Sequence, residues 1–172
     1  MIIDLSSIIK DYDGSMPVNL KCDLENTDFL GEEFKFPNGL LVNGKITNNT
    51  KSLHLTAKVC GKMTVHCARC RKRIEESVDF DISEILVRDD NADSFVDEDV
   101  LVFSGYTLDI DDIVINNFLM NVSAKFLCKE DCKGLCPSCG KDLNFGSCDC
   151  SNDEIDPRWA ALAEIMKNSD TE

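Results

Sequence analysis

No run of apolar residues in this sequence approaches the ~18 that a membrane span needs. The first residues, MIIDLSSIIKDYDG, lack the basic n-region and apolar core of a signal peptide, and Asp4 falls early within them. A cytosolic chain is therefore expected, in a compartment that keeps thiols reduced. Histidine is scarce, with only His54 and His66. There is no phosphate-binding glycine loop, no G-x-G-x-x-G, no nucleophile elbow and no H-E-x-x-H, so nothing specifies an active site. Positive charge is also short. Eighteen Lys and Arg face 32 Asp and Glu, a net charge of −14, which argues against simple charge-driven binding to nucleic acid.

Cysteine, by contrast, is abundant. There are ten, and six lie within CKEDCKGLCPSCGKDLNFGSCDC, residues 128–150. In a reducing compartment these are ligands or core residues rather than crosslinks. Core packing does not explain six cysteines in a stretch of Gly, Lys and Asp. Cys136-Pro137-Ser138-Cys139-Gly140 has the spacing of a metal knuckle, because two intervening residues let both thiolates reach one ion. With Cys148 and Cys150 they supply four thiolates, enough to close a tetrahedral Zn²⁺ site. Cys67-Ala68-Arg69-Cys70 is a second knuckle that needs two more ligands, and Cys128 and Cys132 are the pair left over. A rival partition joins Cys132, Cys136 and Cys139 to one of Cys148 or Cys150 and leaves Cys67 and Cys70 without metal. Cys22 and Cys60 read as ordinary buried thiols. A thioredoxin-like redox role needs the first cysteine at a helix N-terminus. No helical pattern follows Cys139, and Cys67 lies in a strand pattern.

From about residue 34 to 87 that pattern has a period of two. Leu53, Leu55, Ala57 and Val59 alternate with His54, Thr56 and Lys58. Met63, Val65 and Cys67 continue the alternation past Gly61, and Val78, Phe80 and Ile82 repeat it beyond Cys70. Asn38-Gly39 and Asn48-Asn49 read as turns, with Gly61 a further candidate. Antiparallel strands are expected, with the Cys67–Cys70 knuckle at or near a hairpin tip. Met1 to Ile9 is read as a strand or short helix, residues 89–99 as a solvated acidic loop, and residues 100–103 as a strand. A helix is expected over residues 108–127, LDIDDIVINNFLMNVSAKFL, with Asp109, Asp111 and Asp112 in its first turn and an apolar face of Ile110, Ile113, Val114, Phe118 and Val122. Asp156 and Pro157 open a last helix with a stripe of Trp159, Leu162, Ala163 and Met166. The fold class is thus α+β. An antiparallel β-rich domain over residues 1–127 is followed by a Cys-rich zinc-binding segment over residues 128–172 that ends in a helix and packs on the same domain.

Charge is segregated along the chain. Residues 58–73, KVCGKMTVHCARCRKR, hold Lys58, Lys62, Arg69, Arg71, Lys72 and Arg73 and no acid, whereas residues 89–99 hold six acids and no base.

The string EDCKGLCPSCGKDLN, followed by CDC and DPRWAAL, resembles the C-terminal signature of the YceD-like family, the large ribosomal RNA subunit accumulation proteins of bacteria and plastids. Cys67-x-x-Cys70 between strands resembles that family's central pair, and the likeness covers roughly residues 35–166. Where many members carry a proline in the link from helix to cluster, this chain has Asn121-Val122-Ser123-Ala124-Lys125. The resemblance implies a non-enzymatic role in accumulation or processing of large-subunit (23S) ribosomal RNA, with metal that is structural. In that setting the six basic residues of segment 58–73 are the expected RNA-facing patch, and the acidic surface is expected to meet a basic ribosomal protein or assembly factor. The alternatives are an adaptor that binds only basic proteins, a redox-responsive thiol protein, or an enzyme with an unrecognised site.

Overall fold

A computed structural model describes residues 1–24, 27–29, 31–91 and 99–150. Its centre is a five-stranded sheet in the order β2-β5-β6-β7-β8. The strands are β2 (Ser15–Cys22), β5 (Leu40–Asn48), β6 (Leu53–His66), β7 (Arg73–Arg88) and β8 (Leu101–Phe103). The first four pair antiparallel, but β8 runs parallel to β7, so the sheet is mixed rather than purely antiparallel. A small hairpin, β3 (Thr27–Phe29) with β4 (Glu32–Phe34), is a two-stranded sheet of its own that packs against β6. The opening residues form both elements considered for them, β1 (Ile2–Asp4) and then α1 (Ser6–Lys10). β1 pairs with β9 (Thr107–Asp109) in a two-stranded sheet of its own.

The period-two pattern decides which face of the large sheet is buried. Leu40, Val42 and Ile46 of β5, Leu55 and Val59 of β6, and Phe80 and Ile82 of β7 are all inside. The register sets Val42 beside Val59 and Val59 beside Phe80 in one continuous row. This face is covered by α2 (Ile110–Asn121), which begins where its three aspartates predict. Asp109 is the N-cap and accepts from the Asp111 N–H at 3.1 Å, with Asp111 and Asp112 in the first turn, where the helix dipole favours anions. Ile110, Ile113, Val114 and Phe118 are buried as the spacing requires, but the helix stops at Asn121, short of the expected residue 127, with Val122 as its extended C-cap. Phe118 meets Phe36 edge to face at 5.1 Å, Phe34 at 5.3 Å and Phe80 at 6.4 Å. On the opposite face Leu41, Asn43, Thr56, Lys58, Asp79 and Asp81 are exposed.

Gly61 is not a turn. β6 passes through it without interruption and pairs it with Leu40 and Val78. A Cβ here would lie 2.5 Å from Leu40 Cδ2, so the glycine permits close approach of two strands rather than a reversal. As a result β6 and β7 pair along their whole length, from Leu53 opposite Leu86 to His66 opposite Arg73. The β6 strand extends about 45 Å at the usual rise per residue. β5 ends its pairing at Gly61, so the last part of the hairpin runs on past it, with a bridge from Thr64 to Lys35. That projecting end carries Cys67 and Cys70. The last helix expected from Asp156 onward, and most of the acidic loop, lie outside the described residues.

The aromatic cluster around Phe118 joins helix, sheet and the segment before β5. Phe118→Ala is expected to cost about 3–5 kcal/mol, measured by denaturant unfolding. A loss below about 1 kcal/mol would show that the rings are not packed as described.

Candidate metal centres and the basic hairpin tip

The two knuckles have the same backbone design. In the first, the Cys67 N–H donates to Lys72 O at 2.8 Å and the Arg71 N–H donates to Cys67 O at 2.9 Å. In the second, the Cys136 N–H donates to Lys141 O at 2.8 Å and the Gly140 N–H donates to Cys136 O at 2.9 Å. The residue after the second cysteine is left-handed in both, Arg71 at φ 57° and Gly140 at φ 71°. Glycine takes that conformation without strain, whereas Arg71 is held in it by the hairpin turn. Such a turn aims the amides of the intervening residues back at the first sulfur.

The sulfurs fall into two groups of four. Cys67, Cys70, Cys128 and Cys132 make one, and Cys136, Cys139, Cys148 and Cys150 the other. Within each, all four Sγ atoms lie within 4.8 Å of one another. Neither group uses His66, and the rival partition through Cys132 does not match this geometry. Cys67 and Cys132 sulfurs are 3.8 Å apart, and those of Cys70 and Cys128 are 3.6 Å apart. A disulfide needs about 2.05 Å. A tetrahedral ion with metal–sulfur bonds of about 2.3 Å sets its sulfurs about 3.8 Å apart. The donor set and spacing therefore fit a thiolate-bound divalent ion, and both groups can hold one. The first is closed, with Cys67, Cys70 and Cys132 buried, whereas Cys139 and Cys150 of the second are exposed.

Proton affinities within each group are split. Burial alone would raise the Cys67 thiol, but N–H groups of Cys70, Cys128 and Arg69 outweigh it and hold the thiol at about 6. The amides of Cys139 and Ser138, with the Cys148 side chain, hold Cys136 at about 6. Burial and the Cys70 and Cys132 thiols push Cys128 up to about 12, and Cys139 does the same to Cys150. Each cluster thus keeps protons that a cation would displace, so metal uptake must release protons and weaken as pH falls. Cys22, outside both groups, is pushed to about 12 by burial and by Asp111, consistent with an unreactive core thiol.

Backbone and side-chain bonds clamp the tail segment onto the hairpin tip. The Ala68 N–H donates to Phe126 O at 2.8 Å, and the Leu135 N–H to Arg69 O at 3.2 Å. Arg69 Nη1 donates to Cys132 O at 2.7 Å and to Glu130 O at 3.3 Å. Arg69 is thereby a clamp of the tail, a part that sequence reasoning missed when it placed this residue with the RNA-facing cations.

The other basic residues differ in their surroundings. Lys58 pairs with Asp79 at 2.9 Å, and Arg71 forms a short ion pair with Glu32. Lys62, Lys72 and Arg73 make no ion pair with a described residue and are exposed. Register adds two lysines that the linear sequence did not connect to this zone. Lys21 of β2 and Lys45 of β5 stand on the same open face as Lys58 and Lys62. Their outward phase along β2 and β5 was the available signal. Of the acidic zone, the described ends are exposed, and Asp90 pairs with Arg88.

Comparison with known proteins adds an independent finding. The family model described as large ribosomal RNA subunit accumulation protein YceD matches residues 55–166. An uncharacterized protein of Mycobacterium tuberculosis is 29% identical over 130 residues, covering 74% of this chain and 62% of its own. YlbN of Bacillus subtilis is 27% identical over 130 residues, covering 75% of each. The chloroplastic large ribosomal RNA subunit accumulation protein YCED homolog 1 of Arabidopsis thaliana is 26% identical over 162 residues, covering 77% of this chain and 50% of that one. The chain therefore spans less than two thirds of the mycobacterial relative and half of the plant protein. No solved structure matches. No helix among the described residues is long and apolar enough to cross a membrane.

If the sulfur spacing reflects thiols around ions rather than bridges, protein unfolded with chelator should titrate all ten cysteines as free thiols. A deficit of two for each bridge would reveal disulfides.

Proposed function

Since the chain belongs to the YceD family, we propose that it promotes accumulation of large-subunit (23S) ribosomal RNA in the cytoplasm, without catalysing a reaction itself. The observation that carries this reading is the junction at the hairpin tip, which lies within the family-matched segment. There exposed Lys72 and Arg73, beside the Glu32-paired Arg71, and a cysteine-clamped tail meet at one projecting end of the fold.

The metal in this reading is zinc, one ion per Cys₄ group, and its part is structural. It supplies a crosslink where the polar residues between the knuckles have no core to bury. Cys67, Cys70, Cys128 and Cys132 would hold one ion and join the tail to the sheet. Cys136, Cys139, Cys148 and Cys150 would hold the other and shape the tail itself. The two-part division at residue 127/128 is then a division by what stabilises each part, an apolar core in one and ions in the other.

RNA contact is assigned to Arg71, Lys72 and Arg73 at the tip, with Lys62 and Lys58 along the open face and Lys21 and Lys45 extending it. The net charge of −14 opposes general RNA affinity. Each Cys₄ group with one Zn²⁺ adds two further negative charges. Binding would therefore be confined to this patch and depend steeply on salt. The rest of the surface, strongly acidic, suits a basic ribosomal protein or assembly factor of the same precursor.

Three outcomes follow. Protein purified without chelator should carry two zinc ions per chain, and the double substitution Cys67→Ser, Cys70→Ser should leave about one. Unchanged zinc would confine the metal to the tail. Charge reversal at Arg71, Lys72 and Arg73 should weaken binding to large-subunit RNA and flatten the salt slope by about one per phosphate contact removed. If affinity and slope both persist, the adaptor reading gains. Deleting the gene should lower the ratio of large- to small-subunit ribosomal RNA, and a normal ratio would sink the proposal.

A further inference from the structure

The two sulfur groups are joined as well as adjacent. Only Lys133, Gly134 and Leu135 separate Cys132 of the first from Cys136 of the second. Across this joint the loop between Cys139 and Cys148 folds back. The Leu143 N–H donates to Gly134 O at 2.9 Å, and Leu135 bridges Asp142. Gly134 itself is left-handed, and a Cβ there would come within 3.0 Å of Arg69 O. The joint is thus pressed against the first knuckle.

At its centre is Asn144, a residue of the second group's loop that touches a sulfur of the first. The Lys133 N–H donates to Asn144 Oδ1 at 3.0 Å. A backbone amide can only donate, so this bond fixes which end of the side chain faces it. Nδ2 is left to donate to Cys132 Sγ, at 3.5 Å. Asp142 Oδ1 locks the arrangement by accepting from the Asn144 N–H at 2.9 Å and from its Nδ2 at 2.7 Å.

We propose that Asn144 is a positioning residue through which the second Cys₄ group sets the metal affinity of the first, so that the two sites fill cooperatively. The inference rests on the reading of both groups as metal sites. An N–H donor to a ligating sulfur offsets its negative charge and orients it, and loss of such a partner typically costs 10–100-fold in metal affinity. The loop that presents this donor, KDLNFGS, has little apolar surface with which to order itself. An ion in the second group fixes the loop and so removes the entropy cost of placing Asn144 against Cys132. The coupling is reciprocal, because an ion in the first group fixes the joint on which the loop rests.

The test uses the full chain with zinc alone as ligand. Native mass spectrometry counts species during a titration, and chelator competition gives affinities. In the wild type the one-ion species should stay scarce and both ions should leave together. With Cys139→Ser and Cys148→Ser, one ion should remain at the first group, bound about 10–100-fold more weakly. Asn144→Ala should keep a capacity of two but weaken the first site and raise the one-ion species. Asn144→Asp, which offers the sulfur an anion in place of a donor, should weaken it further. Cobalt-to-thiolate absorption reports whether the first group still binds through four sulfurs in each variant. A statistical distribution of species, with first-site affinity unchanged in Asn144→Ala, would overturn the coupling while leaving two metal sites in place. A wild type that binds no ion would overturn the metal reading and the coupling with it.

Discussion

Four sulfurs from two distant parts of the chain meet at the end of one hairpin. Cys67 and Cys132 are 65 positions apart in sequence, and their sulfurs are 3.8 Å apart in space. That meeting joins the described part of the tail, residues 128–150, to the sheet. The segment 128–150 contributes nothing to the main apolar cluster. Its order comes from the knuckle turns, from Arg69 holding the Cys132 and Glu130 carbonyls, and from whatever ion the sulfurs hold. An ordinary hydrophobic interface would need apolar residues that this polar stretch does not have.

The sheet and the cysteine cluster divide the work of stabilisation. The sheet buries one face against α2 and the phenylalanine cluster, by the usual logic of alternation. The cluster is tethered to that core through Phe126, which packs on Phe34 at 6.2 Å while its carbonyl accepts from Ala68. Because the long hairpin runs on past β5, the tethering point lies at the edge of the core and not within it. The projecting end can therefore present cations on one side and hold the tail on the other.

Much of this was legible in advance. The Cys-x-x-Cys spacing picked out the knuckles, and arithmetic on the remaining cysteines paired the first with Cys128 and Cys132. Alternation from Leu53 to Val59 and from Val78 to Ile82 identified the buried face, and three aspartates marked the start of α2. What failed did so for local reasons. Gly61 looked like a turn, but a glycine inside a strand signals close approach just as readily. β8 belongs to a domain expected to be antiparallel, yet it pairs parallel to β7, because a short apolar run carries no information about strand direction. The hold of Arg69 on the Glu130 and Cys132 carbonyls was not legible, because charge is visible in sequence and the carbonyls it meets are not.

By itself the sequence determined the period of the strands, the spacing of the thiols and the balance of charge. Each is a property of residues close together in the chain, where bond geometry fixes what can face what. Tertiary structure alone decided between the two partitions of the thiols that the sequence left open, that Lys21 and Lys45 join the face of Lys58 and Lys62, and that Asn144 of one cluster donates to a sulfur of the other. Those relations depend on strand register and on the fold of the joint between Cys132 and Cys136. They come from packing, which brings together groups that no local pattern connects.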